Sequence, residues 1–560
     1  MEQRYLRFCV LSILLAAALV RLCALGGNPA GVFHDEAEKG YSAFCLLRVG
    51  GTLEFTRLTE NAQGLSVPTL HPWPLFVDVW GSLTSMIYQY AALPFVALMG
   101  LDAWSVRLPA ALIGTLTVLL TFFLARSLTG QTSVALWAMT LMAFSPWHVV
   151  FSRWAQQGIF VPFFVTCGLL AFLRIQDDKS RRVAGFLIVS AACFGLGFYS
   201  YSGAQPFLLL FLPVTALVWR REIARRRRAS LAAFLVLAIL MAPTLHATFG
   251  AGGAGMGRFR RLSVFRPASP SGSGDKHAQQ AATLSFARKY VSHFSPQFLF
   301  LTGDRLDRHG LRGFGEMLHF EFVFLIAGIY TALKRRSKSD QFLLGWFLLF
   351  PISAALTNEG IPHALRTLHA VPCPQILSAM GAVEILRWMR QRWGRAAKVT
   401  ALALCGANVA VFLVALFLYY PHYSALDFEY GVREAVAMAK ENGAANRTPD
   451  YRLYVPASAG VPLVPELFYF HDCTPPQQLA SQGMGSASIQ FLARGPYPLR
   501  LDEVAGLLRP GDSLLMSPLA VQAALNRGEK PDPSIRVRPI LWRPRPFSRA
   551  SVPIYYVLSR

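Results

Sequence analysis

Long apolar runs alternate with short charged segments along most of the chain. Eleven of these runs are long enough to cross a bilayer, for which an α-helix needs about 20 mainly apolar residues. Each run is therefore predicted to be a transmembrane helix. The predicted spans are 5–25, 107–126, 132–148, 157–174, 183–199, 206–220, 229–248, 318–333, 341–357, 366–386 and 399–420.

The charged segments between the runs indicate how the helices are oriented. Lys and Arg cluster in four of them, 174–182, 220–230, 334–340 and 387–398, which hold four, six, four and five basic residues. Cytoplasmic loops of membrane proteins are enriched in these two residue types. All four segments are therefore predicted to be cytoplasmic.

A twelfth apolar run, 82–100, is excluded from the spans by parity. With the amino terminus inside, a crossing at 82–100 would put all four basic segments outside, whereas without it all four fall inside. We therefore predict a helix that lies in the outer interface or packs within the bundle. Residues 26–106 then form one long external loop, and eleven spans place the carboxyl terminus outside.

Composition agrees with a polytopic membrane protein and excludes a soluble globule. Of the 560 residues, 53% are hydrophobic and 15% charged, and the mean hydropathy is +0.38. The net charge of +23 would suggest a nucleic-acid partner in a soluble chain. Here it reports membrane orientation, and no nucleic acid is expected. The first run is interpreted as a retained helix, and the eight cysteines show no metal-binding spacing; a disulfide stays open.

The last part of the chain has a different pattern. From Asp427 onward, a helical segment ending at Gly443 is followed by short strand-like runs that alternate with helix-like ones. These runs are YRLYVPA (451–457), ELFYFHD (466–472), DEVAGLLRPGDSLLMS (502–517) and VPIYYVLSR (552–560). This predicts a small extracytoplasmic α/β domain. The predicted domains are thus 1–420, in the membrane, and 421–560.

The first external loop opens with an unusual group of polar residues. Segment 32–44 reads VFHDEAEKGYSAF and places His34, Asp35 and Glu36 side by side. A single acid at the end of a spanning helix is often only solvated or caps the next helix. Two adjacent acids beside an imidazole can instead supply a base and the group that orients it. Glu38 and Lys39 are expected to be surface residues.

Other external segments carry basic and imidazole side chains that suit an anionic headgroup such as a phosphate. One contains Asp304, Arg308 and His309, and another contains His363 and Arg366. The alternative is that such side chains only reach towards lipid headgroups from helix ends, which is the interpretation preferred for Arg153 and Arg312.

A series of motifs in a fixed order carries a family resemblance. The motifs are GGNPAGVFHDEAEKGYSAFCLLRVG, WPLFVDVW, IYQYAALPFVALMGLDAWSVRLPAALIGTLTVLLTFFLARSLTG, SPWHVVFSR, FLFLTGDRLDRHG and LTNEGIPHALRTLHAVP. Together they resemble the GT-C glycosyltransferases of the protein O-mannosyltransferase and lipid A aminoarabinose transferase superfamily. The resemblance covers the predicted membrane part in order.

The resemblance implies a transferase that takes a sugar from a polyprenyl-phosphate donor on the outer side of the plasma (inner) membrane. In that superfamily the acidic residue of the first external loop is the catalytic carboxylate. The resemblance therefore implies this role for Asp35, with Glu36 as its neighbour. The donor phosphate is assigned by resemblance to Arg107, His363 and Arg366. Weaker candidates for substrate contact are His34, Tyr88, Asp304, Arg308 and His309.

Two departures from the family pattern affect these expectations. Relatives often have a lysine that binds the donor phosphate where this chain reads GSLTSMIYQY. That lysine is either missing here or replaced by Arg107 or Arg366. Relatives also often have an acid where this chain has Gln156 and Gln157. Because a divalent ion would lack that second carboxylate, the chemistry is predicted to be metal-independent, without a cofactor, and to invert the anomeric centre.

Three other functional classes remain open from the sequence. A transporter or flippase of lipid-linked saccharides would also be polytopic, but it would place polar or broken helices in mid-membrane, whereas here the charges cluster at one face. An O-antigen polymerase or ligase shares the substrate class but typically places a large loop late in the chain. A non-catalytic membrane scaffold is the third alternative. The sugar and the acceptor, whether protein, lipid or glycan, are left unassigned.

Overall fold

The computed structural model describes residues 3–53, 70–79, 82–176, 182–250, 262–265, 276–448, 452–456, 489–492, 504–516, 518–530, 532–543, 545–546 and 551–560. The chain divides into two compact units. The first unit comprises Met1–Cys23, Gly81–Tyr88 and Leu108–Phe417. The second unit comprises Ala24–Trp80, Gln89–Arg107 and Leu418–Arg560.

Helices make up most of the first unit. Its α-helices include Gln3–Leu22, Ala103–Thr129, Thr132–Ala143, Pro146–Phe151, Phe160–Phe172, Val183–Ser200, Gln205–Val218, Arg220–Arg225, Arg227–Phe249, Lys276–Ser292, Glu321–Arg335, Lys338–Leu349, Ile352–Ala355 and Cys373–Val414. Short 3₁₀ segments are Gln157–Ile159, Leu173–Gln176, Ser202–Ala204 and Leu365–Ala370, and π-helical turns are Gln297–Leu301 and Ala415–Tyr419. Strand Ser82–Ser85 also belongs to this unit.

Six helices of the described residues are long and apolar enough to cross a membrane. They are Gln3–Leu22, Ala103–Thr129, Gln157–Gln176, Val183–Ser200, Arg227–Phe249 and Cys373–Tyr423. Shorter apolar helices are Ile87–Met99, Thr132–Ala143 and Ser202–Val218. Helix Ile87–Met99 has 13 residues and is about 20 Å long at 1.5 Å per residue. This length is short of a bilayer core of about 30 Å. The total of eleven spans stays a prediction.

A proline delays the start of one predicted span, and a glycine interrupts the long helix that follows. The predicted span 366–386 becomes a 3₁₀ segment up to Ala370 and an α-helix that starts only at Cys373, because Pro372 cannot continue a helix from the residues before it. Backbone torsions at Gly394, with φ 82° and ψ −172°, interrupt the following long helix. This interruption lies inside the basic segment 387–398, where the sequence predicted a loop.

Close backbone contact joins two helices of the first unit. A side chain at Gly328 would collide with the Leu377 carbonyl, and one at Gly381 would collide with the Phe324 carbonyl. Small residues allow helix backbones to approach closely, which is a common packing mode in membranes. The helices Glu321–Arg335 and Cys373–Val414 are therefore packed backbone to backbone at this crossing.

The second unit combines helices with a mixed sheet. Its helices are His34–Val49, Ile87–Met99, Tyr420–Tyr423, Ala425–Phe428 (3₁₀), Val432–Ala445, Val504–Leu507 and Pro518–Asn526, and short strands are Thr52–Leu53, Leu70–His71 and Phe76–Val79. A five-stranded sheet has the order Ile489–Leu492, Leu453–Pro456, Ser513–Met516, Val552–Ser559, Arg536–Trp542. Its first three strands are parallel, and its last two pair antiparallel to their neighbours.

The sheet accounts for part of the predicted α/β pattern. Helix Val432–Ala445 buries residues spaced one helical turn apart, as an amphipathic helix does, and runs two residues beyond the predicted end at Gly443. The predicted strand-like runs 451–457, 502–517 and 552–560 each contain a strand, whereas the run ELFYFHD lies outside the described residues. Strands Ile489–Leu492 and Arg536–Trp542 were not predicted. Whether residues 421–560 form an extracytoplasmic domain stays a prediction.

Candidate active site

The polar group of the first loop lies at the start of helix His34–Val49. Phe33 is the residue before the helix, and its backbone N–H donates to Glu36 Oε2 at 3.3 Å. Asp35 lies in the first turn with one third of its side chain exposed. The two adjacent acids therefore face different surroundings, because Glu36 is fully buried.

Glu36 forms a two-point ion pair with Arg107. Arg107 Nε and Nη2 donate to Glu36 Oε1 and Oε2, each at 2.9 Å. The remaining guanidinium N–H groups donate to the carbonyl oxygens of Leu25, Pro29 and Gly31 at 2.6–3.0 Å. All five N–H groups of this buried side chain are thus engaged by protein oxygens. The pair holds the beginning of the first loop and leaves Asp35 as the accessible acid.

His34 links Asp35 to a residue that sequence reasoning missed. Its Nδ1 lies 2.6 Å from Glu429 Oε1, and its Nε2 lies 3.6 Å from Asp35 Oδ1. Glu429 adopts a left-handed conformation with φ 53°, which aims its side chain back at the imidazole. The contact joins residues 395 positions apart, and no local pattern in the sequence could indicate it.

Glu38 and Lys39 are buried, so the expectation that they are surface residues is wrong. Gln89 Nε2 donates to both carboxylate oxygens of Glu38 at 3.0 and 3.3 Å, and Ser42 Oγ donates at 3.0 Å. Lys39 Nζ donates to the backbone oxygen of Asp35 at 2.8 Å. These bonds replace the water that an exposed helix face would provide. Burial raises the pKa of Glu38, and the nearby Lys39 ammonium only partly offsets this effect.

A second polar cluster lies in the first unit and contains Asp304, His309, His363 and Arg366. His309 Nδ1 is 3.0 Å from Asp304 Oδ2, and His363 Nδ1 is 3.7 Å from the same oxygen. Asp304 also accepts the backbone N–H groups of Leu306 at 3.0 Å and Ala364 at 2.8 Å. All four predicted residues of this cluster are buried.

Burial determines which members of this cluster carry charge. Burial alone would raise the pKa of Asp304, but the hydrogen bond with His309 and the neighbouring imidazoles outweigh it and lower the pKa to about 2. Burial, with the charges of His309 and Arg366 as further causes, holds the pKa of His363 well below its usual value. His363 is therefore a neutral imidazole at pH 7 and does not add a positive charge.

Arg366 already holds an anionic partner in this structure. Its Nη2 lies 2.5 Å from Glu359 Oε2, and its Nη1 donates to Thr357 Oγ1. Nearly half of the Glu359 side chain is exposed, whereas the Arg366 side chain is 9% exposed. Arg366 lies in the short 3₁₀ segment and not at the start of an α-helix, which corrects the expected position of this residue.

The other residues singled out from the sequence pack against, or hydrogen-bond to, neighbouring parts of the protein. Tyr88 is fully buried and packs edge-to-face against Phe160 at 5.7 Å. Arg153 is also fully buried and donates to the carbonyl oxygens of Val20 and Cys23, so its interpretation as a helix-end side chain reaching lipid is wrong. Arg312 is exposed and paired with Asp307 at 2.5 Å. Arg308 is half-buried beside the cluster.

Comparisons with known proteins bear on both the chemistry and the fold. Residues 84–246 match the family model of dolichyl-phosphate-mannose-protein mannosyltransferases. The apo structure of ArnT from Cupriavidus metallidurans aligns over 98% of this chain and 97% of its own, with a TM-score of 0.55 and 14% identity. The resemblance inferred from the motifs is confirmed. The chain has the GT-C glycosyltransferase fold.

Two further solved structures share the fold of this chain. The same ArnT bound to undecaprenyl phosphate aligns over 98% of this chain and 97% of its own, with a TM-score of 0.53 and 13% identity. An Archaeoglobus fulgidus oligosaccharyltransferase tethered with an acceptor peptide aligns over 84% of this chain and 63% of its own, with a TM-score of 0.51 and 13% identity. The chain thus spans less than two thirds of the archaeal protein. No curated protein matches its sequence.

Proposed function

We propose that this glycosyltransferase moves a sugar from a polyprenyl-phosphate donor to an acceptor hydroxyl or amine, with Asp35 as the base. The observation that carries the proposal is that Asp35 and Glu36, the two adjacent acids of the first loop, differ in burial and in hydrogen bonding. Glu36 is buried and bound at two points by Arg107, whereas Asp35 is one third exposed in the same helical turn. The partly exposed side chain of Asp35 is the one that a substrate can reach.

The chemistry requires a base more than a general acid. A sugar-linked phosphate is already a good leaving group, so no proton has to be delivered to it. In the proposed step, Asp35 takes the proton of the acceptor while the acceptor atom bonds to the anomeric carbon and the carbon–oxygen bond to phosphate breaks. A single displacement of this kind inverts the anomeric centre.

We assign the donor phosphate to Arg366. Its guanidinium can bind two phosphate oxygens at once, and in this structure it binds the half-exposed carboxylate of Glu359. The donor phosphate would displace the Glu359 carboxylate and bind the Arg366 guanidinium in its place. His363, a neutral imidazole, would contribute a hydrogen bond instead of a charge. Arg107 is left out of this role because its five N–H groups hold Glu36 and the first loop.

Several features support the donor class and the side of the membrane. The matched family is described by a dolichyl-phosphate sugar, and ArnT of the same fold has been solved with undecaprenyl phosphate. Cys45, in the first loop, is disulfide-bonded. Disulfides persist in oxidising compartments, which supports an extracytoplasmic first loop and an enzyme of the bacterial inner membrane. The peptide held by the archaeal enzyme makes protein one acceptor class, beside lipid and glycan. None of the comparisons supports the transporter alternative.

Two linked measurements test the proposal. In cells that lack the gene, mass analysis of lipid extracts should show a polyprenyl-phosphate sugar that accumulates, and wild-type protein but not Asp35→Asn should remove it. In proteoliposomes, the purified enzyme should release polyprenyl phosphate from that lipid when acceptor extract is added. Unchanged lipid-linked sugars in the deletion cells, together with no release in vitro, would contradict the proposal.

A further inference from the structure

Three buried side chains of the first unit bring nitrogen and oxygen ligand atoms together. Asp304, His309 and His363 each offer one ligand atom, and these atoms all lie within 4.8 Å of one another. The two shorter separations are 3.0 Å from His309 Nδ1 and 3.7 Å from His363 Nδ1, both measured to Asp304 Oδ2. The motifs that supply them are GDRLDRHG and PHALR, which lie more than 50 positions apart in the chain.

These separations agree with the edges of a metal coordination polyhedron. Zinc binds histidine nitrogen and carboxylate oxygen at about 2.0–2.2 Å. Two ligand atoms at that distance and a tetrahedral angle are about 3.4 Å apart. These two separations lie on either side of this figure, and the third is no more than 4.8 Å. A shift of the side chains that closes the third separation would place all three atoms on one ion.

The type of ligands selects the class of ion. Two imidazoles and one carboxylate suit zinc and neighbouring transition metals, whereas calcium and magnesium prefer oxygen ligands. Three protein ligands also leave an open position, as in zinc sites that bind water or substrate. The expectation of metal-independent chemistry rested on Gln156 and Gln157 replacing a carboxylate. The imidazoles of His309 and His363 are ligands of another type and do not require a carboxylate at those two positions.

The surroundings hold these ligands in place and give access to them. Asp304 accepts two backbone N–H groups, which fix its carboxylate in the way that metal ligands are commonly oriented by their neighbours. The His309 ring lies against Phe151 and Trp154, with ring centroids 5.5 and 6.3 Å away. A cavity of about 310 Å³ is lined by Asp304, Arg305 and Gly310, among others, and therefore borders one of the three ligands.

We propose that Asp304, His309 and His363 together bind one divalent transition-metal ion of the zinc class, with an open coordination position. The site is a separate feature from the Asp35 base, and its binding of metal does not depend on the proposed reaction. An Asp304–His309 ion pair that only stabilises the fold is the competing explanation, and it predicts no bound metal.

Metal analysis of the purified full-length protein tests this site. The protein is isolated in detergent with a tag that contains no histidine, stripped with a chelator, mixed with excess zinc and desalted. We expect about one zinc per chain by mass spectrometry, and less than about a tenth of that in His309→Ala. The control His277→Ala removes an exposed histidine outside the cluster and should retain wild-type zinc.

Cobalt substitution provides a second measurement that does not depend on a variant folding correctly. Cobalt bound by two imidazoles, a carboxylate and one further ligand should give the strong visible absorption of a four-coordinate ion. Stripped wild type that binds neither zinc nor cobalt would overturn the proposal and leave the ion pair as the explanation. Wild-type zinc content in His309→Ala would overturn it as well.

Discussion

At the scale of single residues, neighbouring positions of the first loop have different chemical roles. Asp35 and Glu36 are adjacent acids of one helical turn, but only Glu36 is bound at two points by Arg107. Glu38, one turn further on, is buried among the amide of Gln89 and the hydroxyl of Ser42. The reactivity of each acid is therefore set by its partners and not by its residue type.

Arg366→Lys tests phosphate binding at this scale. A lysine keeps the positive charge but cannot bind two oxygens in a planar fork. We expect donor affinity to fall by about tenfold or more, in keeping with about 1.5–3 kcal/mol for a hydrogen bond to a charged group. The measurement is a titration of polyprenyl-phosphate sugar against purified protein. The control Arg387→Lys alters an exposed pair with Glu384 and should leave affinity unchanged. Unchanged affinity and rate in Arg366→Lys would leave Arg366 without a part in donor binding.

Glu38→Gln tests the effect of burial on a carboxylate. Because its pKa is raised in the folded protein, the native state keeps a proton that the unfolded chain releases above its ordinary pKa of about 4.3. The free energy of unfolding contributed by Glu38 therefore falls as pH rises above that value, until the folded pKa is passed. We expect the difference in unfolding midpoint between Glu38→Gln and wild type to grow in favour of the variant as the pH rises above the ordinary pKa of a glutamate.

The matched control for this pH dependence is Glu441→Gln, an exposed carboxylate in the same unit. Its unfolding midpoint should follow that of wild type at every pH. Parallel pH profiles for Glu38→Gln and wild type would contradict the raised pKa.

At the scale of helices and loops, the Glu36–Arg107 pair connects helix His34–Val49 to the helix that starts at Ala103. Glu36→Gln leaves the buried guanidinium without its counter-charge. Breaking a buried ion pair in this way typically costs about 3–5 kcal/mol, so we expect a clear loss of unfolding free energy in detergent. The exposed pair of Glu384 and Arg387 is the control, and Glu384→Gln should cost less than about 1 kcal/mol. Equal effects of the two substitutions would mean that the buried pair does not hold the loop.

The sequence located helices better than it located the partners of polar side chains. Span 183–199 and helix Val183–Ser200 nearly coincide, because a long apolar run allows few alternatives. Strand Arg536–Trp542 was missed because it is an edge strand with Pro539 and several exposed side chains. The burial of Glu38 depends on Gln89, and the position of His34 depends on Glu429. Such contacts between distant segments leave no periodic signal.

For the candidate site, the sequence identified most of the residues but not their state. Asp35, Asp304, His309 and His363 were all singled out, and the last three lie together. The sequence could not show that Arg107 has every donor engaged or that burial keeps His363 neutral. Both properties follow from the surrounding backbone and side chains, which are fixed only by the fold.

At the scale of the whole molecule, the distribution of Lys and Arg predicts the orientation of the chain in the membrane. Four basic segments place residue 102 outside and residue 133 inside. Asp102 and Ser133 are exposed positions before and after helix Ala103–Thr129. A membrane-impermeant thiol reagent added to intact cells should therefore label Asp102→Cys above the background of the parent protein and should not label Ser133→Cys.

Permeabilised cells supply the control for this topology measurement, since both cysteines should then react. Protection of Asp102→Cys in intact cells, with labelling after permeabilisation, would show that the apolar run 82–100 crosses the membrane. All four basic segments would then lie outside, against the charge argument.

The measurement that tests the central claim most directly compares Asp35→Asn with wild type in one proteoliposome assay. Asparagine keeps the shape and hydrogen bonding of the side chain but cannot accept the acceptor proton. We expect transfer to fall by about 10²–10⁴-fold, the usual contribution of one positioned base, while donor binding stays at the wild-type level. The control Asp102→Asn should transfer sugar at the wild-type rate. Wild-type transfer by Asp35→Asn would contradict the assignment of Asp35 as the base.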